Sequence, residues 1–216
     1  MRYALLVAIL CFCLCPAKAG VLTIDFEGLG DFNPITTEYT GLVFSNTASI
    51  VSGDAGGSLN QTEFPPRSGI TVAFNSGIPM SIAFTVPVLN FEGFFNYNAP
   101  VTLEAFNASH GLVGSVQSAF GNNLGVTGEL GSATNEPIAL SFAGGFSSVE
   151  ISIGDFTDPF SGSTFPGSFT LDDLTITTSD TSNPGEVPEA SSISLVVGGA
   201  GLVFLFRRQQ RARRPF

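Results

Sequence analysis

Ser147-Ser148-Val149-Glu150-Ile151-Ser152-Ile153 alternates without a break. Val149, Ile151 and Ile153 fall on one side of an extended chain and Ser148, Glu150 and Ser152 on the other, because successive side chains of a strand point to opposite faces. The same period of two recurs at Ile70, Val72 and Phe74; at Ile82, Phe84 and Val86; at Val101, Leu103 and Ala105; and at Ile138, Leu140 and Phe142. One apolar face per strand, with Ser, Thr or Glu opposite, is the pattern of two antiparallel sheets that bury a shared core.

Working outward, strands are expected at Val21–Glu27, Gly41–Ser45, Gly69–Asn75, Met80–Val86, Leu89–Tyr97, Val101–Asn107, Gly111–Ser118, Ile138–Phe142, Ser147–Ile153 and Gly167–Thr177. Clusters of Gly, Asn, Pro and Ser separate them, and no convincing amphipathic helix lies between Val21 and Thr178. Ten short strands point to an all-β, two-sheet sandwich of jelly-roll or galactose-binding-like kind rather than to a seven-stranded immunoglobulin domain. Between Gly20 and Ala190 there are seventeen Phe and no Trp, enough rings to fill such a core without a disulfide. Each ring contributes roughly 1.5–3 kcal/mol when buried. Phe156, Phe160 and Phe165 sit in the loop Gly154–Ser168, where they either form an exposed recognition patch or fold back over the open end of the sandwich.

The 216 residues suit one such domain with short appendages. Between Gly20 and Ala190 the only basic residue is Arg67, against all eighteen acids, a formal charge of −17. A surface with one cation cannot collect phosphates, which excludes nucleic acid as a partner of this domain. Arg67 is expected either in a salt bridge or gripping a carboxylate or hydroxyl of a ligand. Cys11, Cys13 and Cys15 all precede the domain, which therefore has no disulfide and no thiolate chemistry.

The two ends carry address signals. Arg2, the apolar run Tyr3–Cys15 and the small residues of Ala17-Lys18-Ala19 read as a signal peptide, residues 1–19, cut before Gly20. At the other end a polar hinge with Val187-Pro188-Glu189 occupies 179–190. Residues 191–206 follow without a charge, and Arg207, Arg208, Arg211, Arg213 and Arg214 lie in the tail 207–216. Sixteen helical residues cover roughly 24 Å, short of a bilayer core of roughly 30 Å, so a transmembrane helix here requires Arg207 and Arg208 to snorkel or the bilayer to thin. The arginines place the tail in the cytoplasm and the acidic domain outside.

Val187-Pro188-Glu189, a short apolar span, an arginine cluster and the chain end, in that order, resemble the PEP-CTERM sorting signal of exported bacterial proteins. The usual motif is Val-Pro-Glu-Pro, and Ala190 stands in its last place here. The resemblance implies recognition of Val187, Pro188 and Glu189 by an exosortase in the inner membrane, after a signal peptidase has removed the leader. It further implies an inner-membrane-anchored precursor, then release to the cell surface or extracellular matrix of a Gram-negative-type bacterium that makes exopolysaccharide.

Within the domain, Asp25 and Glu27 flank Phe26 on the first strand and so share a face. In the last strand the apolar phase runs over Phe169 and Leu171, then slips to Leu174 and Ile176 across Asp172-Asp173, a sign of a β-bulge. Through these four acids and its strand pattern the domain resembles carbohydrate-binding-like sandwich modules. That resemblance implies a structural Ca²⁺ held by Asp25, Glu27, Asp172 and Asp173. His110, the single histidine, precedes Gly111 in an expected hairpin turn with no base constellation beside it in sequence and no Gly-x-Ser-x-Gly elbow elsewhere. The sequons at Asn60-Gln61-Thr62 and Asn107-Ala108-Ser109 read as incidental.

Two functional readings follow. One is a non-catalytic surface or matrix protein that contacts glycan or other matrix components. The other is a secreted polysaccharide hydrolase with Asp155, Asp158, Asp172 and Asp173 supplying acid and base. Ice binding would need a regular Thr array that Thr170, Thr175, Thr177 and Thr178 do not form.

Overall fold

The structure is a computed structural model and describes residues 20–157 and 161–178. The expected signal peptide, the hinge with its Val187-Pro188-Glu189 motif, the apolar span and the arginine tail lie outside the described residues, as do Asp158 and Phe160. No helix among the described residues is long and apolar enough to cross a membrane.

Eleven strands are present: β1 (Gly20–Ile24), β2 (Leu42–Ser45), β3 (Thr47–Val51), β4 (Thr71–Asn75), β5 (Met80–Tyr97), β6 (Val101–Phe106), β7 (Leu112–Gln117), β8 (Glu136–Ile153), β9 (Asp155–Thr157), β10 (Thr164–Pro166) and β11 (Phe169–Thr178). Every pairing among them is antiparallel. One 3₁₀ turn, Gly53–Ala55, is the only helical element of the described residues.

The sheet runs β3-β4-β11-β5-β8-β6-β7, with β1 added to β11 and β2 added to β5. Its two longest members make it fold over. The segments expected as separate strands at 80–86 and 89–97 are one strand, β5, and those at 138–142 and 147–153 are one strand, β8. The two stay paired from Met80↔Ile151 to Phe95↔Glu136, with register shifts between Ala83 and Asn90. Pro87 has no N–H for the ladder, and Gly145, at φ +74°, lies so close that a Cβ there would be 3.0 Å from the Pro87 Cβ. The chain therefore bends at this point instead of turning back.

Beyond the bend, Val88–Tyr97 runs between β11 and the first half of β8; before it, Met80–Phe84 runs between β2 and the second half of β8. Two layers result, with β5 and β8 common to both, as in sandwiches whose strands switch sheets at bulges. Phe91, Phe95, Leu171 and Ile176 from one layer and Ile82, Leu103, Val149 and Ile151 from the other form a single buried cluster. Gly93 sits inside it, where a Cβ would come within 2.4 Å of Leu171 Cδ1. The hairpin of β9 and β10 separates the two described rings of its loop. Phe156 packs against the core, while its cross-strand partner Phe165 is 52% exposed.

Candidate functional site

The four acids expected to share a calcium ion are turned onto the chain instead. The bulge is where the phase slip puts it: the β11–β5 register shifts between Asp172 and Thr175, and Asp173 takes φ +45°. It turns Asp172 inward, to 2% exposure. Asp172 Oδ2 accepts from the backbone N–H of Arg67 (2.7 Å) and Ser68 (3.0 Å), and Oδ1 from that of Asp173 (2.8 Å). Asp173 Oδ1 accepts from the Ser68 hydroxyl at 2.7 Å. Glu27 Oε1 takes the N–H groups of Ile70 (2.8 Å) and Thr71 (2.7 Å), and Asp25 Oδ1 takes that of Glu27 at 3.1 Å.

Three carboxylates therefore strap the end of the loop that leads into β4. Gly69 belongs to the strap: its φ is +53°, and a Cβ would lie 2.3 Å from the Glu27 carboxyl carbon. Among the described residues no group of three or more His, Cys, Asp or Glu is placed to hold a metal ion. Burial pushes the Asp172 carboxyl up to about 6, against the opposing pull of its amide partners. At 2% exposure, with three backbone N–H groups on its oxygens, Asp172 is held inside the fold. No described carboxylate pairs with Arg67 either; its guanidinium lies over the Phe94 ring, 4.6 Å from the centroid.

The loop from Ser52 to Ile70 is also tied sideways. Glu63 Oε2 accepts from Val126 N–H (3.0 Å) and Thr127 N–H (3.2 Å), and Asn96 Nδ2 donates to Pro65 O (2.9 Å) and to Asn135 Oδ1 (3.1 Å). Asn123, fully buried, acts as a strand partner for β5 by accepting from Tyr97 N–H at 2.8 Å and donating to Phe95 O at 2.9 Å. Tyr97 in turn donates its hydroxyl to Glu136, and burial together with that carboxylate raises the phenol above its ordinary value. All of this polar chemistry is consumed in holding loops.

The other end of β5 differs. A half-open pocket of about 250 Å³ lies on the outer face of the second layer, lined by Ser81 and Ala83 of β5, Ser147, Ser148 and Glu150 of β8, and Asn107, Ala108 and His110 of the β6–β7 turn. Strand register builds its floor. Ala83, Ser148 and Phe106 stand in one row across β5, β8 and β6, and Ser81, Glu150 and Glu104 in the next, with Ser115 of β7 beyond Glu104.

The turn forms the wall. Asn107 Oδ1 accepts from Ser109 N–H and Gly111 N–H, both at 2.9 Å, which fixes the amide and leaves its Nδ2 uncommitted. His110 adopts φ +57°, and its ring lies 6.5 Å from that of Phe106. No described residue hydrogen-bonds to the side chains of Ser81, Ser147, Ser148, His110, Glu104 or Glu150. A turn histidine without a base constellation beside it was legible in the sequence; its place in one pocket with Glu150 was not, because that depends on the β6–β8 register.

No family model and no curated protein matches this chain. Solved structures similar to it include a DUF4465 family protein from Bacteroides caccae, 11% identical over 73% of this chain and 98% of that one, with a TM-score of 0.47. The K3 cleaved adhesin domain of Lys-gingipain from Porphyromonas gingivalis is 17% identical over 74% and 99%, with a TM-score of 0.37. A DUF4465 family protein from Bacteroides ovatus is 12% identical over 75% and 99%, with a TM-score of 0.36. At these identities no residue role passes from those proteins to this chain.

Proposed function

We propose that this chain is an exported protein of PEP-CTERM type whose sandwich, of jelly-roll or galactose-binding-like kind, is a non-catalytic binding domain for extracellular glycan. In this reading signal peptidase removes residues 1–19, and exosortase acts at Val187-Pro188-Glu189 on a precursor held in the inner membrane by the segment 191–206. The domain then works at the cell surface or within the exopolysaccharide matrix. The two chain ends support the location: a leader before Gly20 and a motif, span and arginine cluster after Thr178. Mass spectrometry of the surface fraction should find a protein that starts at Gly20 and ends near Glu189; a chain intact at both ends in the cytosol would remove the sorting part.

The observation that carries the binding part is the pocket's unspent polar lining. Its lining residues include three serines, Asn107, His110 and Glu150, and among the described residues none hydrogen-bonds to the serine hydroxyls, the imidazole or the carboxylate. Sugar hydroxyls both donate and accept, and a mixed set of this kind satisfies them from several directions. Retention of the protein on immobilised polysaccharides tests the reading. His110→Ala and Glu150→Gln should each weaken retention about tenfold, the loss of one or two polar contacts. Binding indifferent to both changes would place the glycan elsewhere.

A further inference from the structure

We propose that the pocket selects a saccharide carrying a free primary amine over neutral or acidic sugars. The proposal rests on the glycan reading of this pocket and adds the charge of the ligand. Glu150 lines the pocket, and Glu104 stands directly opposite it in the β6–β8 register. Opposed residues of an antiparallel pair hold their Cβ atoms roughly 4.5–5.5 Å apart, and like charges so placed repel. Elsewhere this fold quiets its carboxylates with backbone amides, as at Glu27, Glu63 and Asp172. Neither Glu104 nor Glu150 has such a donor among the described residues.

Among the described residues no Lys or Arg lines the pocket. Arg67 is the only Lys or Arg between Gly20 and Ala190, and it is engaged over Phe94, eleven residues along β5 from Ala83. A cation brought by the ligand offsets the pair directly. An acidic sugar adds a third negative charge. A neutral sugar takes water from Glu150 and returns no charge. An ammonium group brings the charge and three N–H donors, for which Glu150 and Ser81 of the lining are acceptors, with Glu104 close behind Glu150, while the remaining hydroxyls meet the serines, His110 and the Asn107 amide. The −17 charge of the whole stretch steers such a ligand inward as well.

Calorimetric titration of the full chain in detergent micelles, at slightly acidic pH and low salt, with a glucosamine tetramer and its N-acetylated counterpart tests this, since the two differ only in whether the amines are free. The free-amine oligomer should bind at least about tenfold more tightly, and Glu150→Gln should remove most of that preference while Glu129→Gln, elsewhere on the domain, leaves it. Tetralysine separates a site from bulk attraction, and its binding should not respond to Glu150→Gln. Equal affinity for the two oligomers, or a preference that survives Glu150→Gln, overturns the amine proposal. If the N-acetylated oligomer still binds and responds to His110→Ala, the glycan pocket stands without it. If neither oligomer binds, both readings fall.

Discussion

The two acidic regions of this domain are built from the same side chain and put it to opposite uses. At the loop strap Asp172, Asp173 and Glu27 accept from four backbone N–H groups of residues 67–71 and from the Ser68 hydroxyl, in addition to local bonds. At the pocket Glu150 and Glu104 accept nothing from the described chain. Where cations are scarce, a carboxylate has three outlets: the amides of its own backbone, water, or a ligand that displaces that water. The first makes it part of the fold and the other two leave it available for recognition. Substitutions should therefore separate the two regions cleanly, with stability lost at the strap and binding lost at the pocket.

Asp172→Ala should show the largest effect. At pH 5 the change strips the acceptor from three backbone N–H groups next to a strand bulge, at a cost of about 3 kcal/mol. For a domain of this size that lowers the thermal midpoint by about 6–12 °C. Glu150→Ala should leave the midpoint within a degree or two. Comparable losses at both sites would erase the distinction.

The titration of Asp172 sharpens the same contrast. Its folded value, about 6, lies above the ordinary 3.8, so the folded domain holds this proton more tightly than the unfolded chain. The stability it contributes is full below about pH 4 and is lost as pH rises through 6, by at most about 3 kcal/mol. Asp31 and Glu38 act in the opposite sense. Hydrogen bonds from Ser58 and the Val51 N–H, and from the Thr36 N–H, hold them below the ordinary range, so their contribution disappears as acid reaches them. Thermal midpoints should accordingly peak between about pH 4 and 5, and Asp172→Asn should flatten the slope from pH 4 to 7. A wild-type profile that climbs steadily to pH 7 would contradict this assignment.

Much of the frame was legible in the sequence because a period of two needs no partner to be seen. The phase slip at Asp172-Asp173 is local, and the bulge followed from it. Continuity was harder. Pro87 and Gly144-Gly145 lie between segments expected as separate strands, yet with long pairing on either side they only bend β5 and β8 from one layer to the other. β3 escaped because Thr47, Ala48 and Ser49 are all buried, which leaves no alternation to find; Ser49 is accommodated by donating to Gly30 O at 2.7 Å. The acids were legible as residues but not as contacts. The amides that occupy Asp172 lie about a hundred positions earlier in the chain, and the Ser81, Glu150, Glu104, Ser115 row needs the register of four strands at once.

Gly69 tests how tightly the strap is closed. An alanine there meets the Glu27 carboxyl and a φ that L residues rarely adopt, a loss of about 1–2 kcal/mol visible as a lowered urea midpoint with an unchanged slope. A Gly56→Ala control is also at positive φ, +86°, but has open space around its Cβ. The difference between the two variants isolates the contact with Glu27. If both lose the same amount, the carboxylate gives way and the strap is looser than the hydrogen bonds at Ile70 and Thr71 imply.

The smallest effect bears most directly on the pocket. If Glu104 and Glu150 repel across the β6–β8 pair, neutralising either one relieves the whole repulsion, and neutralising the second finds none left to relieve. Glu104→Gln and Glu150→Gln should each stabilise by a few tenths of a kcal/mol, and the double variant by about as much as one alone. The resulting coupling, about 0.2–1 kcal/mol, should shrink in high salt, because both side chains are only partly buried and reached by ions. Strict additivity would mean that the two carboxylates do not sense each other, which would deprive the pocket of its stated demand for a cation while leaving its hydroxyls and imidazole in place.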